Sequence, residues 1–145
     1  RSLPVMGSDT AVVLDGQILG KPRDRAHGLE MLQQLSGRAH QVLTAVAVVR
    51  EGETGIRLSE SRVFFSDISY DEQIRYLESG EPADKAGAYA IQGGAAHMVR
   101  AINGSYTNVV GLPVCEVIEY LITRGVIGRG IPSATETQAR GDLNP

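Results

Sequence analysis

The chain has no tryptophan, one cysteine and only two lysines among its fourteen basic side chains, so the other twelve are arginines. A single cysteine, Cys115, excludes a disulfide framework within the chain and fits a reducing compartment. Lying in the apolar stretch from Val114 to Ile122, it reads as a small buried hydrophobe. No apolar run reaches the length of a membrane span, and Arg1-Ser2-Leu3-Pro4-Val5 does not have the pattern of a signal peptide. No basic run exists to neutralise a row of phosphates, and the formal net charge is −3, which argues against general nucleic-acid binding. The histidines His27, His40 and His97 lack zinc spacing, and no Gly-x-Ser-x-Gly elbow is present. What remains is an ordinary soluble composition, with 42% hydrophobic and 21% charged residues over 145 positions, enough for one domain with its own core.

Punctuation divides the chain. Val5-Met6-Gly7 and Ala11 to Leu14 read as strand interrupted by the polar Ser8-Asp9-Thr10, followed by an Asp15-Gly16 hairpin turn and the return strand Gln17-Ile18-Leu19. Pro22 and Asp24 open a helix with Ala26, Leu29, Leu32 and Leu35 near helical spacing, and Gly37 stops it. Gln41 to Val49 is apolar and rich in β-branched residues, a central strand. It pairs across Glu51-Gly52-Glu53 with Ile56 to Phe65, where Ile56, Leu58, Val63 and Phe65 are expected inward with a phase shift near Ser59 to Ser61. Ser69 and Glu72 form a capping box for a helix through Tyr70, Ile74 and Leu77. A loop over 80–94, a strand from His97 to Ile102, a second hairpin turn at Asn103-Gly104 and a helix after Pro113 follow. The order predicts an α/β fold with a mixed, largely antiparallel twisted sheet flanked by helices, a domain over 1–125 and a flexible tail over 126–145.

Three segments carry possible chemistry. Asp9 places a carboxylate in an apolar strand, where it either caps a turn with its own side chain or holds a divalent cation or activates water. Gly16-x-x-x-Gly20-Lys21-Pro22 fails as a P-loop, because the spacer is short and Pro22 replaces the hydroxyl residue. The tight hairpin can still bring Lys21 to the same side as Asp9, an arrangement suited to metal and phosphate. Arg38 and His40, which follow a helix end, can touch phosphate but read first as charge partners for the helix C-terminus. In Asp84-Lys85-Ala86-Gly87-Ala88-Tyr89-Ala90-Ile91-Gln92-Gly93-Gly94, small residues allow close backbone approach to a ligand, and Gln92 offers both donor and acceptor. Lysine supplies a compact ammonium for single phosphate oxygens, so the two lysines falling in two of these segments is informative.

Taken together, Gly7-Ser8-Asp9-Thr10-Ala11-Val12, Leu19-Gly20-Lys21-Pro22, Leu35 to Val42, Ser79 to Gly93 and Ile102-Asn103-Gly104-Ser105-Tyr106 with Asn108 to Pro113 resemble the Maf family of nucleoside triphosphate pyrophosphatases, related to the inosine-triphosphatase group. The resemblance covers roughly residues 3–124. It implies cleavage between the α and β phosphates to a nucleoside monophosphate and pyrophosphate. It also implies Asp9 as proton acceptor and metal ligand, and Lys21 and Lys85 as phosphate ligands. Asp84 is counted with the substrate-binding set, and Thr10 and Gln92 with base choice. The Ser-Asp-Thr form resembles the subgroup acting on dTTP and UTP. A divalent metal, Mg²⁺ or Mn²⁺, a nucleoside triphosphate substrate, a homodimer, a cytoplasmic location and no nucleic-acid or membrane partner are the matching expectations. Family members begin with a strand and a Ser-x-Ser-Pro-Arg-Arg loop that contacts phosphate. This chain shows neither, so the expectation is a leading segment outside it. The alternative reading is a catalytically incomplete nucleotide-binding or regulatory module that self-associates.

Overall fold

A computed structural model describes residues 3–128 of the chain. One sheet of five strands, all pairs antiparallel, runs in the order β2-β1-β3-β4-β5. Its strands are β1 (Val5–Leu14), β2 (Gln17–Leu19), β3 (Ala39–Arg50), β4 (Glu53–Phe65) and β5 (Val99–Asn103). The helices are α1 (Arg25–Leu35), α2 (Tyr70–Glu78), α3 (Tyr106–Val110) and α4 (Val114–Thr123), with short 3-10 turns at Glu81–Asp84, Ala86–Ala88 and Ala96–Met98. The α/β class and the antiparallel sheet are those expected.

The central strand shows the two-residue period of a sheet most plainly: His40, Val42, Thr44, Val46 and Val48 are all buried on one face. That face takes the helices. Val12, Leu14, Val42, Val63 and Phe65 pack with Met31, Leu32 and Leu35 of α1 and Tyr76 of α2, and Val46 and Val48 pack with Val117 and Tyr120 of α4. Burying these side chains is the main source of stability, on the order of 1.5–3 kcal/mol each. The opposite face leaves Val5, Val49, Ile56 and Leu58 exposed, in register across Ala45, Ala47 and one another.

Local signals explain the helix starts. Asp24 accepts the His27 N–H at 2.8 Å and caps α1. Ser69 and Glu72 form the reciprocal capping box of α2.

Several expectations change. β1 is one continuous strand through Ser8-Asp9-Thr10, because β3 pairs with it from Val5 to Val13. β2 covers only Val12 to Leu14 on the other side, so the polar residues lie along an edge that has no strand partner among the described residues. In β4 no phase shift occurs. Ser59 and Ser61 take inward positions because Ser59 Oγ donates to Glu116 (3.4 Å) and Ser61 Oγ is held by Asn108 Nδ2 (2.8 Å) and the Ser105 N–H (3.0 Å). Ile56 and Leu58 therefore face outward. Asn103-Gly104 is not a hairpin turn: the chain passes from β5 straight into α3, capped by Ser105, which accepts the Asn108 N–H. His97 lies in a 3-10 turn, and β5 begins at Val99. Cys115 is exposed, since the buried phase of α4 falls on Val117 and Tyr120. Arg38 reaches across to the β1–β2 turn, its Nη2 2.7 Å from both Asp15 carboxylate oxygens, instead of serving a helix end. Of the tail expected from 126 onward, the Val126 N–H still closes on the Leu121 carbonyl (2.9 Å), and 129–145 lies outside the described residues.

Candidate active site

One cavity of about 360 Å³ opens beside the middle of β1. Asp9, Thr10, Lys21, Asp84, Lys85 and Gln92 all line it. The structure thus brings every site residue expected from the sequence to a single pocket, from the two ends of the β1–β2 hairpin and from the distant 84–92 segment.

Each wall has a local cause. Strand alternation sends Ser8, Thr10 and Val12 to the packed face and Asp9 to the other, so exposed Asp9 meets the pocket at the sheet rim. Thr10 Oγ1 is 2.9 Å from Thr44 Oγ1 across the register pair Thr10↔Thr44. Thr44, fully buried, donates onward to the Asn108 carbonyl at 3.2 Å. The Thr10 hydroxyl is therefore fixed by the sheet while its neighbours remain accessible. The far wall is the C-terminal end of α3, Val109, Val110 and Gly111, with Ser8 Oγ donating to the Gly111 carbonyl (3.4 Å).

The lysines arrive on two loops that touch. Lys21 follows β2, and Lys85 sits between two 3-10 turns. The Gly87 N–H donates to the Gly20 carbonyl at 3.1 Å, tying the loops together one and two residues from the ammonium-bearing positions. Gly87 (φ +72°) and Ala88 (φ +64°) are both left-handed. A Cβ at Gly87 would meet Val12 Cγ1 at 3.0 Å, so only glycine allows the loop to lie this close to β1. Lys85 Nζ is 3.5 Å from Asp84 Oδ1, an exposed pair worth little by itself.

Beneath the loop lies a buried aromatic cluster. Tyr89 lines the pocket, and its hydroxyl is 2.7 Å from His40 Nε2. His40, Phe65 and Tyr89 meet edge to face with ring centroids 4.8–5.4 Å apart. Burial lowers the His40 pKa from 6.5 to about 4, keeping the imidazole neutral, and burial likewise raises that of the Tyr89 hydroxyl. Asn108 is fully buried and donates to the Val42 carbonyl (3.1 Å) and to Ser61, pinning α3 to the sheet. His40, expected with Arg38 as a charge partner for a helix C-terminus, is instead a neutral core group, because it is buried in β3 against Tyr89. Sequence reasoning assigned no role to Thr44 or Asn108. The available signal was polar side chains on the inward phase of an apolar strand, which need partners when buried.

The pocket combines two carboxylates, of Asp9 and Asp84, with two ammonium groups, hydroxyls and an amide. That set suits a polyanion with a polar, planar end. A family profile described as Maf-like protein matches residues 1–124. The chain belongs to the Maf family. It is 56% identical over 124 residues to the dTTP/UTP pyrophosphatase of Nitrosomonas europaea, covering 86% of this chain and 60% of that protein. The dTTP/UTP pyrophosphatase of Alkalilimnicola ehrlichii is 57% identical over 119 residues, covering 82% of this chain and 58% of that one. That of Salmonella typhimurium is 54% identical over 121 residues, covering 83% and 61%. The chain therefore spans about three-fifths of the length of these Maf relatives.

Among the described residues no group of three His, Cys, Asp or Glu side chains is placed to hold a metal ion. The donor set still fits Mg²⁺ in its usual manner, bound by one or two carboxylates with water and substrate phosphate completing the shell. Among the described residues no helix is long and apolar enough to cross a membrane.

Proposed function

We propose that this chain carries the catalytic pocket of a nucleoside triphosphate pyrophosphatase acting on dTTP, UTP or related modified pyrimidine nucleotides. The observation that carries the reading is the convergence of Asp9, Lys21, Lys85 and Gln92 on one cavity. The names of the similar proteins support it. In this reaction water attacks the α-phosphorus, the α–β anhydride bond breaks, and nucleoside monophosphate and pyrophosphate leave. Asp9 orients the water and accepts its proton. Lys21 and Lys85 neutralise the charge that builds on the phosphate oxygens. Asp84 steadies the Lys85 ammonium. Thr10 and Gln92 contact the base. Mg²⁺, or Mn²⁺, would be held by Asp9, water and phosphate oxygens, and supplies further charge neutralisation. Free nucleoside triphosphates as substrate and the unpaired Cys115 favour the cytoplasm.

The test is a panel of nucleotides incubated with the protein and Mg²⁺, with the anionic product identified. Pyrophosphate from UTP and dTTP is expected. Orthophosphate would overturn the assignment.

A second reading, a nucleotide-binding module that self-associates as a homodimer, is favoured by the exposed Val5, Val49, Ile56 and Leu58 and by the edge of β1 that has no strand partner among the described residues. Calorimetry would separate the two: nucleotide binding without turnover belongs to the module, and turnover to the enzyme.

A further inference from the structure

Gln92 sits on a loop that is fastened from outside the pocket. Glu81 opens the 3-10 turn Glu81–Asp84, where its own N–H donates to Ser79 Oγ at 3.3 Å. Its carboxylate accepts the Gly94 N–H, with Oε2 at 3.0 Å and Oε1 at 3.4 Å. Tyr76, buried on α2, accepts the Ala90 N–H at 3.0 Å through its hydroxyl. Burial first, and the Glu81 carboxylate next, raise the pKa of that hydroxyl, so the phenol keeps its proton. The two backbone N–H groups on either side of Ile91-Gln92-Gly93 are thus held by two side chains that face each other.

The glycines make room for this arrangement. A Cβ on Gly93 would fall inside the Glu81 carboxylate, and one on Gly94 would lie 3.2 Å from Tyr76 Cε1. Ile91, buried and also lining the pocket, anchors the middle of the loop. Exposed Gln92 then has little backbone freedom, and its amide is presented from a fixed point on the pocket wall.

We infer that Glu81 is a positioning residue for base selection, acting with Tyr76 as a clasp that sets the reach of Gln92. The inference rests on the pyrophosphatase reading, in which Gln92 contacts the base. Lys85, at the far end of the Glu81–Asp84 turn, has its own fastening: its loop is tied to the segment after β2 by the Gly87-to-Gly20 hydrogen bond. Asp9 and Lys21 belong to β1 and the segment after β2. Loosening the clasp should therefore disturb the base end of the ligand and spare the phosphate end, which separates KM and preference from kcat.

The experiment compares the unmodified protein with Glu81→Ala, Glu81→Gln and Tyr76→Phe, measuring kcat and KM for UTP and for GTP. Loss of a charge-assisted hydrogen bond at the loop predicts that Glu81→Ala raises KM for UTP about tenfold and cuts the preference for UTP over GTP by a similar factor. Its kcat for UTP should stay near that of the unmodified protein. Glu81→Gln keeps a carbonyl acceptor for Gly94 and should restore most of the preference. Tyr76→Phe keeps the ring packing, removes the acceptor for Ala90 and should reproduce part of the loss even where Glu81→Ala fails to fold. Unchanged KM and preference in folded Glu81→Ala and Tyr76→Phe would overturn the inference, as would a fall in kcat with KM unaltered. If the unmodified protein releases pyrophosphate from no nucleotide, it is the pyrophosphatase reading that fails. Amide exchange then judges the clasp: Gly94 exchanging about tenfold faster in Glu81→Ala supports it, and an unchanged rate removes it.

Discussion

At the scale of single residues, the two lysines and one histidine carry the sharpest expectations. Lys21 is exposed and lies on the pocket wall, where an ammonium meets phosphate as a point charge. Lys21→Ala should lower kcat/KM for UTP by about 10²–10³, the usual scale for losing one preorganised charge-stabilising group. Lys21→Arg should recover little of it, because a planar fork does not replace a compact ammonium. Steady-state kinetics on the two variants checks both statements. His40 makes a prediction about stability. Its folded-state pKa is depressed from 6.5 to about 4 by burial. Between those values the unfolded chain takes up a proton that the folded chain refuses, so stability falls as pH drops through this window. Above pH 6.5 the histidine imposes no cost. Near pH 4 the loss from this group approaches ~3 kcal/mol, at about 1.4 kcal/mol per pH unit. Denaturant unfolding at a series of pH values should show this slope reduced in His40→Gln relative to the unmodified protein.

Elements were legible in proportion to how local their causes are. The capping box at Ser69 and Glu72, the Asp15-Gly16 turn and the stop at Gly37 depend on a few adjacent side chains, and α1, α2 and the β1–β2 hairpin could be read from them. The inward serines of β4 were not legible, because Ser61 is satisfied by Asn108 and Ser105, more than forty residues away. Nor was the continuity of β1, since only pairing with β3 shows that Ser8-Asp9-Thr10 lie within a strand. Of the candidate site, the residues with reactive groups stood out by type and spacing, and they share one pocket. The scaffold behind them, Thr44 and Glu81, did not stand out, and His40 was expected at a helix end instead of in the core, because these roles come from contacts made only on folding. The loop bearing Lys85 shows such a dependence directly. Gly87→Ala places a Cβ against Val12 in a left-handed conformation, and is expected to cost about 1–2 kcal/mol. A thermal melt should show Tm lower by several degrees, and Lys85-dependent nucleotide affinity should fall with it.

For the molecule as a whole, the asymmetry of the sheet is the feature with the widest reach. One face is packed by helices, while the other presents Val5, Val49, Ile56 and Leu58 to solvent. On the second reading proposed above, this exposed apolar face is where copies of the chain would associate. Light scattering on the chain should give a mass that rises with concentration. Ile56→Lys with Leu58→Glu should return it to the monomer value without altering the melting temperature by more than a degree or two, since neither side chain is buried. A constant monomer mass for the unmodified chain would rule out that association. The hydrogen bond from Gly87 to Gly20 has a different consequence, one of timing. The two basic loops are separated by most of the sheet in sequence, yet their backbones are joined by a hydrogen bond of the chain's own. The relative placement of the two lysine-bearing loops is therefore set by folding, and on the pyrophosphatase reading a polyanionic substrate would have that much less ordering left to impose.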